Sequence, residues 1–152
     1  MDFYQLWFAV RYLHVASVTL LSGGALLITV LCLAPDGAGL KAVLAVASAY
    51  EWIFWSVAGV TVATGVSNLG LKGNGLLGPH TVWGTALSIK LVVVLVLLVL
   101  SALRSDIVVR GRARTQLSSS RFRMILGGIY AATVTMILAA LWLGLGLAHG
   151  RY

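Results

Sequence analysis

Four long apolar runs separated by three polar breaks constrain this chain more than any other feature. Crossing the hydrocarbon of a bilayer takes ~20 mostly apolar residues at a rise of 1.5 Å each. Runs over about 6–33, 41–69, 81–103 and 122–148 meet that length. The first stops at Ala34-Pro35-Asp36-Gly37, a turn signal, and the second ends in the glycine-rich GLKGNGLLGPH. The third carries LVVVLVLLVL. Only 10% of the 152 residues are charged and the mean hydropathy is +0.99, too few polar side chains to cover a water-facing surface. Short breaks make consecutive helices antiparallel neighbours. The expected fold is therefore all-α: one integral membrane domain, an up-down four-helix bundle whose first partner is the lipid bilayer.

The net charge of +7 is concentrated rather than spread over a face. The segment SALRSDIVVRGRARTQLSSSRFR holds Arg104, Arg110, Arg112, Arg114, Arg121 and Arg123. Beside membrane spans such a cluster is a topology signal, and no nucleic acid partner is expected. The 34–41 turn and the 104–123 loop hold seven of the eleven Lys and Arg. The positive-inside rule then puts the arginine loop in the cytoplasm and both termini on the outer, periplasmic side of a bacterial inner membrane. The start, MDFYQLWFAVRYLH, has neither a basic n-region nor a small-residue cleavage site, so the first helix is expected to be retained. The single cysteine, Cys32, excludes an internal disulfide and a CxxC motif. Gly73-Asn74-Gly75-Leu76-Leu77-Gly78 matches G-x-G-x-x-G by letters alone. An apolar helix precedes it and no carboxylate follows before Arg104, so it reads as an outer loop.

In so apolar a chain the polar residues at membrane depth carry the information. His14 falls about two turns into the first helix. His80 falls at the mouth of the third and His149 at the end of the fourth, all toward the outer side. Imidazole is a common ligand for haem iron and for copper. His80, after Pro79, also reads as an interfacial polar residue and His149 as a solvated end; His14 is too deep for either. Arg11 shares a helix face with His14, one turn outward. It reads as a partner for a haem propionate or as an anchor snorkelling beside Tyr4, Trp7 and Tyr12. Glu51 and Lys90 lie at heights within ~6 Å by helical rise. They are expected to pair across the second and third helices, as a structural ion pair or as part of a proton or anion path. Gly23, Gly24, Gly59, Gly65, Gly127, Gly128, Gly144 and Gly146 suit close helix packing and would equally admit a flat cofactor.

YLHVASVTLLSGGALL in the first helix and WGTALSIKLVVVLVLLVLSALR in the third resemble the copper-resistance protein D (CopD) superfamily of four-helix membrane proteins. The shared features are a first-helix histidine followed by glycines, here His14 with Gly23 and Gly24, and a third-helix G-x-x-L-x-x-K, here Gly84, Leu87 and Lys90. The resemblance covers roughly the first 110 residues. It implies copper uptake across the inner membrane or, from the related HemJ-type protoporphyrinogen oxidases, haem binding with His14 and Lys90 as the residues that matter. Copper(I) prefers thioether and thiolate ligands, and no cysteine accompanies the outer histidines. The expected function is that of a small b-type haem protein passing electrons, to or from a quinone or within a larger redox complex, with porphyrinogen oxidation as its catalytic form. His14 is the expected axial ligand, His80 or His149 the second, and Arg11 the propionate partner. Alternatives are a copper-handling transporter using the same histidines, and a cofactor-free scaffold subunit of a homo- or hetero-oligomer.

Overall fold

The structure, a computed structural model, describes residues 2–34, 39–72, 81–113 and 119–148. Four helices account for nearly all of them: α1 (Phe3–Leu33), α2 (Leu40–Lys72), α3 (Val82–Ala113) and α4 (Ser119–Ala148). At 30 to 33 residues each is ~45–50 Å long, and all four are long and apolar enough to cross a membrane. The chain is a multi-pass, all-helical bundle, as the apolar runs predict.

α1 packs against α2 and α4, while α3 packs against α4 and, more sparsely, against α2. Consecutive helices thus adjoin around a ring. Each turns inward a stripe at alternating three- and four-residue steps, the spacing that keeps one face on a neighbouring helix. On α1 the stripe is Ser17, Leu21, Ala25, Ile28 and Cys32; on α3 it is Leu97, Ser101, Arg104, Val108 and Gly111. The remaining apolar side chains, such as Leu26, Val92 and Leu138, face outward, as lipid-facing residues do.

One boundary departs from expectation. The third helix was expected to end at Leu103, with a loop over 104–123, but α3 continues to Ala113 and α4 begins at Ser119. The inward stripe runs on through Arg104, whose guanidinium is satisfied inside the bundle. Asp106 and Arg110, four residues apart on the exposed face, pair at 2.8 Å. Most of the arginine segment is therefore helix.

Two glycines admit specific neighbours. A Cβ on Gly24 would lie 2.4 Å from the Tyr50 ring, and one on Gly127 would lie 2.9 Å from the Cβ of Cys32, where α1 meets α4. By contrast Gly23, Gly59 and Gly128 face open space, so they do not serve helix packing. Tyr50 is buried and donates its hydroxyl to the Leu21 carbonyl at 2.6 Å, so its ring cannot swing away freely. Gly24→Ala is expected to destabilise the bundle by about 1–3 kcal/mol through overpacking, read as a lower thermal midpoint in detergent. Gly23→Ala, one residue away, should leave that midpoint unchanged.

At the arginine end, the Nη2 of Arg123 in α4 donates to the carbonyls of Leu31 and Ala34, both at 3.0 Å. These belong to the last turn of α1, which lacks intrahelical donors for its final carbonyls. A cation there also complements the helix dipole.

Candidate functional site

Polar side chains gather in two layers of the bundle. The layer nearer the arginine end is built on Glu51 of α2, only 7% exposed, and Arg104 of α3, fully buried. The Nε of Arg104 donates to Glu51 Oε1 at 2.8 Å and its Nη2 to Oε2 at 3.1 Å, a two-pronged pairing that suits a planar guanidinium. α4 adds two members. The Tyr130 hydroxyl donates to Glu51 Oε1 at 2.6 Å, and Arg104 Nη1 donates to Thr133 Oγ1 at 2.9 Å. Ser105 Oγ donates to Glu51 Oε2 at 2.5 Å and accepts the indole N–H of Trp55 at 3.0 Å. The rings of Phe54, Tyr130 and Tyr50 surround the guanidinium carbon at 4.3, 4.9 and 5.6 Å from their centroids. Both carboxylate oxygens are thus met by two donors each. This closed network ties α2, α3 and α4 together, and Tyr50 extends it to α1.

The expected partnership of Glu51 with Lys90 is therefore corrected: Glu51 pairs with Arg104. Placing Arg104 in a loop removed it from consideration, and Lys90 then stood as the remaining cation at membrane depth. One signal was available in the sequence. Leu97, Ser101, Arg104, Val108 and Gly111 keep the inward spacing across the apparent end of the apolar run.

The second layer lies in the other half of the bundle and receives residues from all four helices. His14 of α1 is half-buried, with Nδ1 3.0 Å from the Thr61 carbonyl oxygen and 3.0 Å from Thr64 Oγ1 on α2. A carbonyl only accepts. The hydroxyl of Thr64 already donates to the Val60 carbonyl at 2.7 Å. Nδ1 therefore carries the proton, which leaves the Nε2 lone pair of the neutral ring available. Gly65 completes the seat, because a Cβ there would come within 3.3 Å of the imidazole Cε1. Lys90 of α3 is close enough for its charge to act on His14. Its Nζ rests against α4 at Gly144, 2.9 Å from where a Cβ would stand.

Arg11, one turn outward from His14, is half-buried with its guanidinium 5.3 Å from the Trp7 ring centroid. That contact is what an interfacial anchor makes. His80 and His149 fall outside the described residues. Among the described residues, no three His, Cys, Asp or Glu side chains come together as a metal-holding group. Cys32 is buried at the arginine end of the bundle, far along α1 from His14.

Comparison with known proteins gives no match: no family model, curated protein or solved structure is similar to the chain.

Proposed function

We propose that this protein is a small b-type haem protein that passes electrons in a bacterial cytoplasmic membrane, as a subunit of a larger redox complex. The observation that carries this reading is the seat of His14. An imidazole whose Nδ1 is held by a backbone carbonyl presents Nε2 as a ligand of fixed tautomer and direction, the arrangement that supports metal-bound histidines. His14 lies inside the bundle, where a hydrophobic group would be shielded from water. His14 would hold the iron from α1. His149 follows Gly144 by five residues and His80 precedes Lys90 by ten, so His149 has the shorter distance to cover as second ligand. Haem, when bound, supplies a one-electron carrier. The contribution of this chain is to hold the imidazole neutral at Nε2 and to bury it. In this reading the arginine end faces the cytoplasm, as the positive-inside rule requires.

The test is the visible spectrum of detergent-purified protein made with ample haem supply, first oxidised and then reduced with dithionite. The expected result is a Soret band that sharpens and shifts on reduction, together with a resolved α band. Protein without a Soret band would overturn the reading.

A further inference from the structure

The chain carries four carboxylates: Asp2, Asp36, Glu51 and Asp106. Glu51 and Asp106 are held by Arg104 and Arg110. Asp36 falls in the short connection between α1 and α2 at the arginine end. Lys90 lies 23 residues up α3 from Ala113, ~35 Å from that end, beyond the reach of so short a connection. Asp2 stands at the opposite end of α1, twelve residues or ~18 Å from His14. No carboxylate of this chain can therefore meet Lys90, and among the described residues its ammonium makes no hydrogen bond or ion pair.

Lysine at membrane depth faces the bundle interior and pairs with something, because an unpaired charge in hydrocarbon is expensive. Lys90 is half-buried and directed at α4, and its neighbour in the layer is a second basic group, His14. The packing around it leaves room. The fully buried bulky side chains, Tyr130, Phe54, Ile28 and Leu126, all lie in the arginine half. Beyond Leu21, Ala58, Leu97 and Ile137, the buried residues are Ser17, Thr64, Gly84, Ala86 and Gly146, all of them small. Gly144 itself is vacant at Cβ, and that is the position the ammonium fills.

We infer that Lys90 holds the carboxylate of an amphiphilic ligand seated in this half of the bundle, beside His14. An acid group on an apolar body supplies what this half lacks, an anion at membrane depth and bulk between small side chains. Where the ligand is haem the carboxylate is a propionate, and the assignment then rests on the haem reading. A fatty acid offers the same chemistry without it.

The experiment separates these sources. Full-length protein, purified in detergent without added haem, is titrated with haem and with haem dimethyl ester. Parallel titrations use oleate and methyl oleate. At least one acid should bind roughly tenfold or more tightly than its ester, the worth of one charge-assisted contact. Lys90→Met should erase that preference and Lys90→Arg should keep most of it. Gly144→Ala, which only crowds the flexible end of Lys90, should weaken it while leaving the thermal midpoint unchanged. A wild-type protein that binds both acids no better than their esters overturns the inference, even if haem binds and the haem reading stands. So does Lys90→Met that folds with an unchanged midpoint and keeps the preference. A preference for oleate over its ester that Lys90→Met abolishes, in protein that shows no Soret band with haem, upholds the inference and removes the haem reading.

Discussion

Arg104→Met is expected to destabilise the bundle by about 3–5 kcal/mol, the usual cost of stranding one partner of a buried ion pair. The substitution keeps the length of the side chain, so little of the loss is a cavity. What remains is a Glu51 carboxylate inside the bundle with only the Tyr130 and Ser105 hydroxyls as donors. Single neutral contacts between helices in a membrane contribute far less, ~0.6 kcal/mol on average. Tyr130→Phe should accordingly have a small effect beside Arg104→Met. The double replacement Glu51→Leu with Arg104→Met should recover part of the loss, because it removes both charges. The measurement is unfolding by sodium dodecyl sulfate titrated into protein in dodecyl maltoside, followed by near-ultraviolet circular dichroism. Trp55, hydrogen-bonded to Ser105 at the edge of the network, gives that signal a local reporter. An unchanged midpoint for Arg104→Met would refute the energetic role assigned to the pair.

His14→Ala is expected to abolish the Soret band or to shift it to that of a differently ligated haem, with haem content falling at least tenfold on purification. Thr64→Val, which removes one of the two oxygens facing Nδ1 but leaves the Thr61 carbonyl, should keep haem bound. Its midpoint potential should move, because hydrogen bonding at Nδ1 tunes the basicity of the ligand nitrogen. A spectrum unaltered in His14→Ala would remove His14 as a ligand. His149→Ala and His80→Ala, measured alongside, assign the second axial position.

Much of the architecture was legible before any coordinates. Runs of more than twenty apolar residues have few outcomes other than membrane-spanning helices, because only a helix or a closed barrel satisfies its own backbone in hydrocarbon. Short breaks between the runs left few topologies to choose from. His14 stood out for the same reason, since an imidazole inside such a run costs free energy to keep there. The charge pairing was not legible. Glu51 was visible as a buried carboxylate, but its partner depended on how far α3 continues past the last leucine of its apolar run. Hydropathy falls at Arg104 whether that residue enters water or turns back into the bundle. The roles of the glycines were equally hidden. Gly23 and Gly24 are adjacent in sequence, yet one faces open space and the other receives the ring of Tyr50.

VRYLHVAS, the stretch that joins Arg11 to His14, divides along the same line. The sequence alone determined that both residues lie on one helix face in a membrane span, since helical periodicity and apolar length are local properties. Only the tertiary structure decided what each one meets: Trp7 for Arg11, the Thr61 carbonyl for His14, Arg104 rather than Lys90 for Glu51. The physical reason is that the burial and pairing of a polar side chain depend on which faces of four helices meet, and at what height. Periodicity along any one of them leaves both open.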